Sequence, residues 1–149
     1  MREPAGYGRR VAAYLLDVLA SWVLAALVAS PWLAGDLLFD DSTLNLVLAV
    51  PFGAGAAAMF LLYEPIFMRR SGTRNGQTLG KQVLGIRVTR DDRRPVGFGT
   101  GTLRDVLFKT VLGFFTAGLF NLVDFVWPLW EGEDRALHDL VARTHVVRA

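Results

Sequence analysis

Apolar residues are concentrated in three long runs, at residues 11–35, 44–68 and 105–130. Each run is about 25 residues long, and about 20 residues of α-helix are enough to cross the hydrocarbon core of a bilayer. The runs are apolar on nearly all sides, whereas a helix on a soluble protein keeps a polar face with a period of 3.6 residues. The first run is also too long for a signal peptide and contains Asp17. The pattern therefore predicts membrane-embedded helices.

The third run permits two arrangements. A full crossing would place the C-terminal tail on the opposite side of the membrane from the loop at residues 69–104. A break near Gly118 and Asn121 would instead return the chain as a re-entrant hairpin, which is tolerated where protein or water covers the exposed backbone. We favour the hairpin, or a strongly bent segment, because it keeps the tail beside the loop.

Two shorter segments have the pattern of strands. Residues 83–90 (VLGIRVTR) and 144–148 (THVVR) are rich in β-branched residues, and a strand pair this short needs support from another surface. Between them, residues 134–143 have apolar positions spaced as in an amphipathic helix. The predicted fold is an all-α membrane protein: a small bundle of two transmembrane helices and a third transmembrane or re-entrant segment, with a cytoplasmic strand pair and an amphipathic C-terminal helix. It forms one domain over residues 1–149, with a cytoplasmic tail at 131–149.

The distribution of charge predicts the orientation. The chain has a net charge of only +2 and a mean hydropathy of +0.35. However, the loop at residues 69–104 contains nine basic and two acidic residues, residues 1–10 have a net charge of +2, and residues 35–43 contain three aspartates and no basic residue. Because basic residues near helix ends stay in the cytoplasm, the N-terminus and the 69–104 loop are predicted inside and residues 35–43 outside.

Several motifs resemble the RDD family of bacterial membrane proteins. They are AGYGRRVAAYLLDVL near the start, GQTLGKQVLGIRVTR followed by a Pro-containing turn and Arg104, and LHDLVARTHVVR at the end. The resemblance covers nearly the whole chain and implies a multi-pass protein of the bacterial cytoplasmic (inner) membrane. It implies that Arg10 is the family's arginine, Asp17 its first aspartate, and Asp139 or Asp124 its second. Transport of unidentified ligands is a role suggested for this family.

These four residues are predicted to form an intramembrane charge network. Arg10 and Asp17 lie on one face of the first helix. A charge at the centre of a membrane helix costs about 2.5–3.5 kcal/mol on insertion scales, so such residues usually have partners. We therefore expect Arg10 and Asp17 to be coupled, either as a structural clamp or as part of a proton or ion relay. A hairpin in the third run would bring Asp124 near Lys109, while Glu64 is expected to pair with a loop arginine.

Small residues in the second run predict close helix packing. The small-xxx-small pairs are Gly53 with Ala57 and Ala54 with Ala58. Their partner is the first helix, another copy of the chain, or another membrane protein.

Other functional classes are not favoured by the sequence. No cysteine is present, so disulfides and thiolate sites are excluded. The segment around Lys81 lacks the spacing of a phosphate-binding loop, and the two histidines lack a third metal ligand at a suitable spacing. We expect no metal, no cofactor, no catalytic activity and, because the basic loop contains only one aromatic residue, no nucleic acid partner. Transport by a homo-oligomer is the favoured hypothesis, and an accessory or regulatory subunit of a larger membrane complex is the alternative.

Overall fold

Two long helices form the apolar part of the protein. The structure, a computed structural model, describes residues 3–38 and 42–149. Helix α1 (Tyr7–Leu38) packs against α2 (Ser42–Met68), and each contains a stretch long and apolar enough to span a membrane. Only 17% and 6% of these stretches are buried, whereas the core helix of a soluble protein is mostly covered. Both helices that the sequence predicted are present, and residues 39–41 of the loop predicted outside are not among the described residues.

The third apolar run is broken near the predicted position. Helix α4 (Phe98–Gly101), a π-helix (Thr102–Leu112, here π1) and α5 (Gly113–Phe115) follow one another. The chain then turns through left-handed backbone at Ala117 and Gly118 and continues as α6 (Leu119–Val126). The amide of Gly118 donates to the carbonyl of Gly113 at 2.7 Å. The run is therefore a helical hairpin, and its placement relative to the membrane stays a prediction.

The two predicted strands pair with each other. Strands β1 (Ile86–Arg90) and β2 (Thr144–Arg148) are antiparallel, with Val88 opposite Val146. The N-terminal segment adds a bridge from Pro4 to Val147. The pairing confirms the sequence prediction, but the first strand is shorter than expected because residues Leu79–Val83 form a helix, α3, followed by a turn with positive φ at Gly85.

The amphipathic segment before β2 is also shorter than predicted. Helix α7 covers Leu137–Ala142 rather than residues 134–143. A short 3-10 turn at Gly72–Arg74 and another at Trp127–Leu129 complete the described elements. A buried apolar cluster joins the sheet to the ends of both long helices: Ala5, Ala13, Met68, Ile86, Val88, Val96 and Val146.

The small-residue face of α2 is not the surface that contacts α1. A Cβ atom added to Gly55 would lie 3.0 Å from Val28 of α1, whereas one added to Gly53 would meet nothing within 4 Å. Ala54, Ala57 and Ala58 are exposed. The first helix therefore leaves most of this face uncovered, and another copy of the chain or another membrane protein stays as its predicted partner.

Candidate functional site

Asp17 is a buried carboxylate at the junction of three helices. It accepts hydrogen bonds from the Tyr63 hydroxyl of α2 at 2.8 Å and from the Thr78 hydroxyl at 2.5 Å. The amide of Gly80 in α3 donates to it at 2.7 Å, and the Lys81 ammonium lies 3.4 Å away. With four donors around it and only 2% of its surface exposed, Asp17 fastens the segment after α2 to both long helices.

Gly80 makes this close approach possible. A Cβ atom at this position would collide with the carbonyl oxygen of Ala13 and would lie 3.0 Å from the carboxylate carbon of Asp17. The glycine therefore lets the backbone of α3 reach the surface of α1. The GK sequence at this place serves to dock α3 on Asp17.

Asp139, in α7, is held by a different set of groups. Arg104 lies 3.1 Å from one carboxylate oxygen and Arg10 lies 3.9 Å from the other, while the Thr144 hydroxyl donates at 2.9 Å. Burial alone raises the pKa of Asp139, but the charge of Arg104, the hydrogen bond from Thr144 and the charge of Arg10 outweigh it and hold this pKa at about 2. Asp139 is therefore ionised and bound mainly by cations.

His138 connects Asp124 to this cluster as a neutral imidazole. Its backbone amide donates to one oxygen of Asp124 at 2.9 Å, and its Nδ1 lies 2.6 Å from the other. Its Nε2 lies 3.0 Å from Nη2 of Arg104. Because a guanidinium only donates, Nε2 must accept and the proton is assigned to Nδ1. Burial lowers the pKa of His138, and the nearby charge of Arg104 adds to this effect against the opposing charge of Asp139.

Ion pairs connect the two clusters into one network. Lys81 lies 3.6 Å from Glu64, and Lys109 lies 3.6 Å from the other oxygen of Glu64. Lys109 also lies 2.8 Å from Asp105, which is 3.9 Å from Arg104. The charges thus follow one another from Asp17 in α1 to Asp139 in α7, through groups on α2, α3 and π1.

Arg10 and Asp17, which were expected to be coupled directly or through water, make no direct contact with each other. Arg10 donates to the carbonyls of Ala5 at 2.8 Å and Val146 at 3.1 Å, and also to that of Asp134. Its side chain therefore turns toward the sheet and the segment before α7. Arg10 and Asp17 lie on one face of α1, but the side chain of each contacts residues on other elements.

Other members of the network were not predicted as site residues. Lys81 and Arg104 were counted among the basic residues of the loop, and Glu64 was expected to pair with a loop arginine. Lys109 is four positions after Asp105, the spacing at which an ion pair forms on one helix face. This spacing is the sequence signal that could have predicted the pair. Asp124 takes His138 as its direct partner in place of Lys109.

The amino-acid sequence of this chain also matches a known protein family. The model of the RDD family matches residues 4–143. The chain belongs to the RDD family. It is 23% identical over 156 residues to the uncharacterized protein YxaI of Bacillus subtilis (strain 168), covering 99% of each chain. It is 29% identical over 148 residues to the uncharacterized protein YckC of the same organism, covering 99% of this chain and 86% of YckC. No solved structure matches the chain.

In this RDD protein a cavity of about 310 Å³ borders the charge network. Both exposed apolar side chains, such as Tyr14 and Leu122, and the charged groups of the network contribute to its wall. Among the described residues no group of His, Asp or Glu is arranged to hold a metal ion. The acidic, basic and histidine residues that line the cavity are Arg10, Glu64, Lys81, Arg104, Lys109, Asp124, His138 and Asp139.

Two carboxylates of the network, Glu64 in the cavity wall and Asp105 beside Lys109, have buried oxygen atoms without a hydrogen-bond partner in the described part of the chain. Oδ1 of Asp105 contacts the Lys109 ammonium at 2.8 Å. Oδ2 of Asp105 and Oε2 of Glu64 are buried and have no hydrogen-bond partner among the described residues. Both carboxylates contact the ammonium of Lys109, at 2.8 and 3.6 Å. Each has one further cation nearby: Lys81 lies 3.6 Å from Glu64, and Arg104 lies 3.9 Å from Asp105. Buried acceptors of this kind are costly unless a proton, an ion or water satisfies them.

Proposed function

We propose that this protein transports an ion, either a proton or a small cation, as a homo-oligomer in the bacterial cytoplasmic membrane. The observation that carries the proposal is the charge balance of the buried network. The network contains five carboxylates and four lysine or arginine side chains, so its formal charge is −1 when His138 is neutral. A bound cation neutralises this charge, and its release leaves the network ready for another.

Glu64 and Asp105 are the groups assigned to the exchange. They share the single ammonium of Lys109, they retain unpaired acceptors, and Glu64 lines the cavity. Like charges held this close favour uptake of a proton or cation by one of them. Asp17, in contrast, has a donor for each oxygen, which supports a positioning role.

Purified protein in liposomes tests the assignment. Proton movement is followed with a pH-sensitive dye inside the vesicles while a proton, sodium or potassium gradient is imposed. We expect Asp105→Asn and Glu64→Gln to reduce the flux at least about tenfold, since each removes the charge that binds the ion. Both variants should elute from a sizing column like the parent protein.

Asp92→Asn is the matched control. It removes one carboxylate in the same way, but Asp92 is in an exposed turn and pairs with Arg90 outside the network. This variant should keep the full flux. Flux no greater than in protein-free vesicles under all three gradients would contradict the transport role, and equal flux in the control and the Asp105 variant would contradict the assigned site.

Self-association is required because two membrane helices cannot enclose a pathway. The small residues Gly53, Ala54, Ala57 and Ala58 form the favoured contact, since none of them is covered by α1. The chain has no cysteine, so Ala57→Cys can be crosslinked in membranes without a background. Met59→Cys is the control on the side of Gly55, and it should crosslink much less.

An accessory subunit is the second candidate function. The same uncovered face favours it, because a different membrane protein would pack there equally closely. The Ala57→Cys experiment distinguishes the two roles: a crosslinked dimer of this chain supports the homo-oligomer, and a heavier adduct with a foreign membrane protein supports the accessory role.

The orientation is proposed from the charges of the loops. Cysteines introduced at positions 40 and 92 are exposed to an impermeant thiol reagent on intact cells. We expect labelling at position 40 only, because the basic 69–104 loop belongs in the cytoplasm. Labelling at position 92 alone would reverse the topology.

A further inference from the structure

A second cavity, of about 1240 Å³, is open to the surface beside the sheet. Pro4, three residues before α1 begins, and Arg69, the residue after α2, both contribute to it. The start of α1 and the end of α2 therefore lie beside the same groove. In a protein that spans the membrane with these helices, this places the groove at one membrane surface.

Arginine is the dominant charged residue of the groove. Five arginines and two carboxylates line it. The carboxylates, Asp91 and Glu133, both contact the His145 ring, at 2.7 and 3.2 Å. The arginines and carboxylates therefore give the groove a formal charge of +3, and both of its acids already have partners. The arginines are Arg69, Arg87, Arg90, Arg93 and Arg94.

Three of these arginines have no carboxylate partner in the part of the chain that the structure describes. They are Arg69, Arg87 and Arg93, whereas Arg90 and Arg94 both pair with Asp92. Arg87 donates from Nη2 to the carbonyl of Thr73 at 3.0 Å, but its buried Nε has no hydrogen-bond partner. A buried guanidinium N–H without an acceptor calls for one from a ligand.

We propose that this groove binds the phosphate-bearing headgroup of an anionic phospholipid. A guanidinium has a planar fork of donors that matches two phosphate oxygens, and it is the preferred side chain for such recognition. The position beside both helix ends gives lipid phosphates direct access. Nucleic acid is a poorer match because bases need several aromatic faces for stacking. This loop has one aromatic residue, Phe98, and it does not line the groove.

Calorimetric titration of the full chain in a neutral detergent tests the proposal. The probes are short-chain phosphatidylglycerol, short-chain phosphatidylcholine and inorganic phosphate. We expect saturable binding of phosphatidylglycerol, at least about tenfold tighter than that of phosphatidylcholine. The double variant Arg87→Gln and Arg93→Gln should weaken it at least about tenfold, because each arginine near an anionic lipid contributes to binding.

The double variant Arg9→Gln and Arg148→Gln is the matched control. It removes the same charge near the same helix ends, but neither residue lines the groove. Its affinity should stay within about twofold of the parent, since the groove arginines remain. An equal loss in both double variants would mean that general surface charge attracts the lipid, and would overturn the proposal. Phosphate binding as tight as that of phosphatidylglycerol would overturn the lipid assignment in favour of a soluble anion.

The single variant Arg93→Gln covers the case in which loss of Arg87 disturbs folding. Arg93 is exposed and its side chain has no ion pair among the described residues, so its removal leaves the fold intact. We expect it to weaken phosphatidylglycerol binding by about three- to fivefold. No change for this variant would contradict the proposal independently.

Discussion

Asp17 and Asp139 are both almost completely buried, at 2% and 1% exposure, yet they are stabilised in different ways. Asp17 is surrounded mainly by neutral donors, namely two hydroxyls and a backbone amide, with one lysine at 3.4 Å. Asp139 is bound by the two arginines Arg10 and Arg104 and by one hydroxyl. The first arrangement can keep most of its hydrogen bonds without a charge on the aspartate, whereas the second depends on that charge.

Asp139→Asn should therefore have the largest effect. It leaves Arg104, which is buried, and Arg10 without the carboxylate that balances them. Removing one partner of a buried ion pair typically costs about 3–5 kcal/mol of unfolding free energy. Unfolding in detergent, followed by circular dichroism against added denaturant, measures the loss. A loss below about 1 kcal/mol would show that Asp139 is not the counter-ion that its geometry indicates.

Asp17→Asn should cost less, about 1–2 kcal/mol. The amide oxygen can still accept from Gly80 and Tyr63, the Thr78 hydroxyl can rotate to accept from the amide nitrogen, and Lys81 keeps Glu64 as a partner. The same unfolding measurement applies, with Asp92→Asn as an exposed control that should change stability by less than about 0.5 kcal/mol. An effect as large as that of Asp139→Asn would remove the distinction between the two carboxylates.

Much of this comparison was predictable from the sequence, but the partners were not. The apolar runs predicted both long helices, Gly118 marked the break in the third run, and the two β-branched segments predicted the strand pair. Asp17, Asp124 and Asp139 were also selected as buried charges. Helical spacing, however, shows only which side chains share a face.

The unpredicted partners come from elements distant in sequence. Arg10 is joined to Val146 across 136 residues and Asp17 to Lys81 across 64. Lys81 and Arg104 were read as loop charges because they fall in a segment with many basic residues. Only the docking of α3 and π1 against the long helices brings them inside, and no local pattern specifies that docking.

The pH dependence of stability should separate the two groups in α7. Burial lowers the pKa of His138 below its ordinary value of 6.5, so the unfolded chain takes up a proton first as the pH falls. The contribution of His138 to the free energy of unfolding is complete above pH 6.5. It is lost below this pH, with a slope of at most about 1.4 kcal/mol per pH unit. The contribution of Asp139 is present above its ordinary pKa of 3.8 and is lost as the pH falls towards its folded pKa of about 2.

The free energy of unfolding measured between pH 7 and pH 5 therefore tests His138, because the contribution of Asp139 does not change over this range. His138→Gln should flatten the decline of stability over this range, and His145→Gln, a change at a half-exposed ring outside the network, is the matched control. A parent protein whose stability rises from pH 7 to pH 5, with the rise abolished by His138→Gln, would mean that the folded state favours the charged imidazole and would contradict the assignment of a neutral ring.

The smallest expected effect is the coupling between Arg10 and Asp17. Each residue has its own partners, Arg10 near Asp139 and Asp17 near Lys81, so neither loses a direct contact when the other is changed. The unfolding free energies of Arg10→Ala and Asp17→Asn should add in the double variant to within about 0.5 kcal/mol, as for sites without shared partners. The pair Arg10→Ala with Asp139→Asn is the positive control, and it should be less destabilised than the sum because both changes remove the same ion pair. A coupling energy between Arg10 and Asp17 as large as that of the control pair would show that Asp17 and Asp139 belong to one energetic unit. It would contradict the distinction between these two carboxylates.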